Sequence, residues 1–169
     1  DSGSFLRIYP IGRKPYYKEP TYYKDRSSIY YEWETDSFEN FFKVIGADMA
    51  TFKVSERDSY FSSDNDSVYF DGEIISGVDP ENFEVLSRGY GKSNEKVYWG
   101  GFHGAEIVTG ADPKSFTVIS PNGLKSPFDY RRYSNYGKDD KNVYLNGKIE
   151  LDTDPKTFTD PCLKNEFYC

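Results

Sequence analysis

Hydrophobic side chains along this chain fall in short bursts separated by polar turns, not in the long stripes of an amphipathic helix. Four bursts share a β-branched residue, a Tyr and a further large apolar group: Ile29-Tyr30-Tyr31, Val68-Tyr69-Phe70, Val97-Tyr98-Trp99 and Val143-Tyr144-Leu145. Each follows a polar turn, at 24–28, 63–67, 92–96 and 138–142, and an aromatic stands ahead of each turn, at Tyr23, Phe61, Tyr90 or Tyr136. Bursts this short, rich in aromatic and β-branched residues, predict strands. Asp71-Gly72 and Asn146-Gly147 add a two-residue hairpin signal, because Gly tolerates the positive φ such turns require. A third strand follows, as at Glu73-Ile74-Ile75, so each copy reads as a three-stranded antiparallel meander.

A second signature closes each copy. It reads Gly46-Ala47-Asp48 through Phe52, Gly77-Val78-Asp79-Pro80 through Phe83, Gly110-Ala111-Asp112-Pro113 through Phe116, and Thr153-Asp154-Pro155 through Phe158. An Asp caps free backbone N–H groups, and Pro suits the first helical position because its missing N–H would be unpaired there. One helical turn is therefore predicted after each of Asp48, Asp79, Asp112 and Asp154. These aspartates are read as caps, not catalysts. Val85 and Leu86 then begin a further strand.

The chain is expected to be a single repeat domain over 1–169. Its copies lie at roughly 22–54, 60–86, 89–119 and 133–159, with a tail at 160–169 that contains the cysteines. The predicted fold is all-β: about four tandem three-stranded meanders with one-turn helices, stacked as a solenoid-like curved sheet. A closed four-bladed propeller is the alternative, with Phe5-Leu6-Arg7-Ile8-Tyr9 as the closing strand. The copies are unequal. The first is stretched at 32–43, where residues 37–45 also read as an amphipathic helix, and the third has an expanded hairpin at Gly100-Gly101-Phe102-His103-Gly104.

Composition strengthens the strand reading, since aromatic residues make up 18% of the chain and Met occurs once. The formal net charge of −7 disfavours phosphate backbones and anionic headgroups, and steers encounter toward a basic partner. No apolar run reaches the length of about 18 residues that a membrane span needs. The chain starts at Asp1, and a secretory signal or lipoprotein anchor preceding it is the expectation. Cys162 and Cys169 are the two cysteines and are expected to form a disulfide, which places the protein in an oxidising compartment.

The run Lys138-Asp139-Asp140-Lys141-Asn142-Val143-Tyr144 and the Gly-Ala-Asp-Pro-Lys-Ser-Phe run at 110–116 resemble the bacterial DKNYY family, named for an Asp-Lys-Asn-Tyr-Tyr motif. The resemblance spans roughly 22–159, with Leu145 in place of the second Tyr and the Pro missing from the first copy. It implies an exported or envelope-associated bacterial protein and brings no catalytic residues. A periplasmic or cell-surface location is the expectation.

Candidate chemistry is sparse. Asp64-Asn65-Asp66-Ser67 resembles the opening of a calcium loop, but it lacks the required Gly and closing Glu, and a hairpin turn accounts for the same residues. His103 has no nucleophile motif to serve. No metal site, cofactor or enzymatic activity is predicted. The partner-binding candidates are the aromatics in and beside the irregular segments, Trp33, Phe38, Phe41, Trp99, Phe102 and Tyr130, together with Arg131. The expected function is a non-enzymatic protein-binding module of the bacterial envelope. Its sharpest form is an immunity protein that neutralises a basic toxin by occlusion. A cell-surface structural or adhesion repeat, or a carbohydrate-binding protein, is the alternative.

Overall fold

A computed structural model describes residues 6–8, 21–34, 39–87, 89–101, 104–119 and 135–160. The chain is all-β, and its described strands form four antiparallel four-stranded sheets, each in simple sequence order. It divides into two compact units, Asp1–Phe83 and Glu84–Cys169, with two sheets in each.

In the first unit, β1 (Leu6–Ile8), β2 (Thr21–Lys24), β3 (Ile29–Glu34) and β4 (Glu39–Lys43) form the first sheet. β5 (Lys53–Val54), β6 (Phe61–Ser63), β7 (Val68–Phe70) and β8 (Glu73–Ile74) form the second. The other unit repeats the plan with β9 (Glu84–Ser87), β10 (Tyr90–Lys92), β11 (Val97–Gly101) and β12 (Gly104–Ile107), then β13 (Thr117–Val118), β14 (Tyr136–Lys138), β15 (Val143–Leu145) and β16 (Lys148–Glu150).

The structure corrects the expected meander. Each sheet has four strands, not three, because the strand leaving one copy's Asp turn pairs with the next copy's meander: β5 with β6, β9 with β10, β13 with β14. One copy's sequence therefore completes the next copy's sheet. The described strands do not merge into one curved sheet. The proposed closing strand pairs locally instead, with Leu6 opposite Lys24 and Ile8 opposite Tyr22 in the first sheet. Within the stretched segment of the first copy, Glu39–Lys43 form strand β4, not helix, paired along β3 with Tyr31 opposite Phe42. Its β-prone Phe41-Phe42 pair completes the ladder, and tertiary pairing outweighs the helical periodicity.

The four Asp turns also differ from expectation. Only Pro80–Asn82 is a one-turn helix, of 3₁₀ type. In the other three the Phe amide reaches back to the Asp carbonyl, closing a single α-turn: Phe52 to Asp48, Phe116 to Asp112 and Phe158 to Asp154. The capping role holds in all four. Asp48, Asp79, Asp112 and Asp154 each accept, at Oδ1, the amide two residues on.

Register also corrects the aromatic ahead of the first turn. Lys24 pairs with Ile29, so Tyr22, not Tyr23, lies opposite Tyr31 and faces the core. Tyr22, Phe61, Tyr90 and Tyr136 are thus equivalent, and all four are buried. The Phe of each Asp turn packs on its own copy's member of this set, with ring centroids 5.3, 5.7, 5.2 and 4.9 Å apart. Within each unit the same Phe also meets the motif Tyr of the following copy, Phe52 with Tyr69 at 5.8 Å and Phe116 with Tyr144 at 5.7 Å. Each core is therefore a Tyr–Phe–Tyr stack between two sheets, filled by Ile29, Val44 and Val54 in one unit and by Val97 and Val108 in the other.

Candidate functional site

The polar turn of the repeat motif is organised around a carboxylate five residues before the motif Tyr. Asp64 Oδ1 accepts the amides of Asp66 (2.9 Å) and Ser67 (2.7 Å). Its Oδ2 accepts the Tyr69 hydroxyl (2.8 Å) and the Asp48 amide of the preceding copy (2.8 Å). Asp139 repeats the set: Oδ1 takes Lys141 and Asn142, while Oδ2 takes the Tyr144 hydroxyl and the Asp112 amide, all within 2.7 to 2.9 Å. A carboxylate offers about four lone-pair directions, and four donors occupy them. The Asp64 run is therefore turn chemistry, with the oxygens a calcium ion would need already directed at N–H and O–H groups.

This geometry sets the electrostatics. Burial raises the Asp64 and Asp139 carboxyls, but the converging hydrogen bonds outweigh it and hold both below the ordinary aspartate value. Burial, with the facing carboxylate, pushes Tyr69 and Tyr144 up to about 12. The pair is charged Asp and neutral Tyr at any physiological pH. Because one carboxylate binds its own hairpin and the previous copy's turn, it couples the two copies of each unit. A second bond reinforces the joint: the Asn65 amide donates to Thr51 Oγ1, and the Asp140 amide to Ser115 Oγ.

The equivalent position differs in the other two copies. Asp25 accepts Ser27 and Ser28 amides at Oδ1 and the Tyr30 hydroxyl at Oδ2. In the third copy Ser93 stands there, and its single oxygen takes the Glu95 and Lys96 amides.

A different acidic site lies in the first unit. Tyr31 donates its hydroxyl to Asp71 Oδ1 at 2.8 Å, joining β3 of one copy to the Asp71-Gly72 hairpin of the next. Burial, with Asp58 and Glu73 adding like charge, pushes the Asp71 carboxyl up to about 7 against the opposing Tyr31 hydrogen bond. In the other unit Trp99 replaces Tyr31, and Asn146-Gly147 replaces Asp71-Gly72. A β-carbon on Gly72 would stand 3.0 Å from Tyr31 Cβ, and one on Gly147 would stand 3.0 Å from Trp99 Cβ. Both hairpins therefore need Gly for close approach as well as for positive φ.

Of the sequence-predicted partner residues, Phe41 is exposed on β4 at 45%, in edge contact with Tyr23. Trp33 lies on β3 with its backbone opposite Asn40. Trp99 is half-buried and packs against the core of its unit. Phe38, Phe102, His103, Tyr130, Arg131, Cys162 and Cys169 lie outside the described residues. Phe42, beside Phe41 in the irregular segment, is 56% exposed, and sequence reasoning missed Ile45, which is 68% exposed just after β4. It also missed Asp64 and Asp139 as connectors, although their fixed five-residue spacing to the motif Tyr was a visible signal.

These features define a tandem β-sheet repeat protein whose copies are joined in pairs by a charged Asp and a neutral Tyr. The DKNYY family model matches residues 22–162, and the chain belongs to the DKNYY family. No curated protein and no solved structure matches it.

Proposed function

We propose that this is a non-enzymatic protein-binding module that holds its ligand on the outer strand of the first sheet. One observation carries the reading. β4 itself exposes two large aromatic side chains, Phe41 and Phe42, with Ile45 shortly after it, whereas β8 and β12 each expose one isoleucine, Ile74 or Ile107, and β16 exposes Ile149 with Leu151 just beyond. Regular repeat surfaces look alike, so selectivity belongs where a copy departs from the pattern. Among the described strands β4, like β8, β12 and β16, stands at the edge of its sheet, where strand addition can occur. Exposed large apolar side chains on such an edge are what a dissociation-limiting contact requires.

The net charge of −7 favours a partner with a basic contact surface and acts mainly on encounter. An immunity protein of the bacterial envelope that occludes a toxin is the sharpest form of this reading. Capture with the intact chain, compared with the double variant Phe42→Ser and Ile45→Ser, tests it. A protein retained by the wild type and released faster by the variant supports the proposal. Retention of only glycans or lipids, or identical release from both, overturns it.

A further inference from the structure

The two ends of the repeat array are complementary halves of a repeat junction, and we infer that a second copy of this chain fills them head to tail. Two intact junctions show what such a joint contains. In one, the first copy's turn gives the Asp48 amide to Asp64 Oδ2, and Ile74 of β8 lies against Gly46, 3.7 Å from where its β-carbon would be. In the other, the Asp112 amide goes to Asp139 Oδ2, and Ile149 lies 3.6 Å from the same point on Gly110.

Register identifies the corresponding residues at the ends. The motif tyrosines Tyr69 and Tyr144 pair across their strands with Ile74 and Ile149, and Tyr30 pairs with Lys43. Lys43 is therefore the first copy's counterpart of the two isoleucines. Gly46 and Gly110, two residues before their capping aspartates, have φ of 81° and 83°, and in the fourth copy Asp152 holds that place at φ 60°. The apolar Ile–Gly contact of the internal junctions is thus replaced by a cation on the incoming face of the first copy and an anion on the outgoing turn of the fourth. Both residues are exposed.

The hydrogen-bonding groups match as well. Among the described residues, Asp25 Oδ2 accepts only the Tyr30 hydroxyl, where Asp64 and Asp139 each accept a further amide. The Asp154 amide, equivalent to the amides of Asp48 and Asp112, has no acceptor among the described residues. Leu151, 78% exposed, adds an apolar contact beside Asp152. A head-to-tail contact seats the Asp154 amide on Asp25 Oδ2 and brings Asp152 to Lys43. Along β4, Phe42 points to the face opposite Lys43, whereas Phe41 shares the face of Lys43.

Such a contact is heterologous, so it builds open chains unless rotation closes a ring. Sedimentation equilibrium of the full chain at near-physiological salt, where long-range repulsion between acidic chains is screened, is the test. Average mass should rise with concentration beyond the monomer. Lys43→Glu and Asp152→Lys should each weaken association by about threefold to tenfold, and the double variant should restore it. Asp25→Ser should weaken it too, because Ser offers one oxygen. The charge exchange keeps the test decisive if that variant folds poorly. A monomer at every concentration overturns the proposal. A double variant that fails to regain association overturns it as well. So does a Lys43–Asp152 coupling that appears only in the unfolding midpoint of a monomer.

Discussion

Tyr144 donates its hydroxyl to Asp139 over 2.8 Å, and the same oxygen of Asp139 receives the Asp112 amide of the preceding copy. Tyr69, Asp64 and Asp48 form the identical set in the other unit. The family motif is thus a joint: it closes its own hairpin and fastens the copy before it.

The joint predicts an order of mutational cost. Asp139→Ala strands four donors and should cost about 2 to 4 kcal/mol. Asp112→Ala removes one turn cap and should cost about 0.5 to 2 kcal/mol. Tyr144→Phe leaves the Asp112 amide in place and should cost about 1 to 2 kcal/mol. Chemical denaturation of the three variants checks the order, and equal losses for Asp139→Ala and Asp112→Ala would contradict the shared-joint geometry.

Asp71 gives the first unit a pH dependence of the opposite sense to its other structural carboxylates. Its folded carboxyl, at about 7, lies above the ordinary aspartate value of 3.8, so between these values the folded chain holds a proton that the unfolded chain has released. Its contribution to stability is full below about pH 4 and is lost as pH rises through 7. Asp64 and Asp139 are lowered on folding, so their contribution is present above about pH 4 and is lost as pH falls further. Asn146, at the equivalent hairpin position with the same φ of 50°, shows that an amide fits. Asp71→Asn should therefore stabilise the protein at pH 8 by something on the order of 2 kcal/mol and flatten the profile between pH 5 and 8. Thermal melts across that range measure it, and an unchanged slope would count against the buried-carboxyl account.

Asp152 occupies a left-handed backbone position that three glycines hold in the other copies. A side chain there costs about 1 to 2 kcal/mol in general, and less for Asp. Asp152→Gly should raise stability by up to about 1 kcal/mol, offset in part by the greater freedom Gly brings to the unfolded chain. Gly110→Ala should destabilise by about 1 kcal/mol or more, since Ala cannot adopt that φ without strain. Denaturant midpoints of the two variants should move in opposite directions.

Phe42 and Ile45 are exposed, so Phe42→Ser and Ile45→Ser should leave the unfolding midpoint within about 0.5 kcal/mol of wild type. Any loss of ligand then reflects the surface itself. A marked fall in stability would place these side chains in packing instead of recognition.

The sequence by itself determined most of the strands and the chemistry of the turns, though not β4 or the fourth strand of each sheet. Short aromatic bursts could form little but strands, Asp71-Gly72 and Asn146-Gly147 could only be tight hairpins, and four aspartates before a Phe could only cap turns. These are local effects, set by φ preferences and by donors within two or three residues. The copy number and the DKNYY membership were legible for the same reason. What the tertiary structure decided was partnership across copies. Which sheet receives β5, β9 or β13 depends on a ladder formed with residues beyond the next turn. A pairing register of one residue separates Tyr22, in the core, from Tyr23, on the other face. Asp64 and Asp48 lie sixteen positions apart, and no local rule directs the amide of one to the carboxylate of the other. That bond exists because the Tyr–Phe–Tyr stack brings two copies together, and packing between distant segments has no signature in either segment alone.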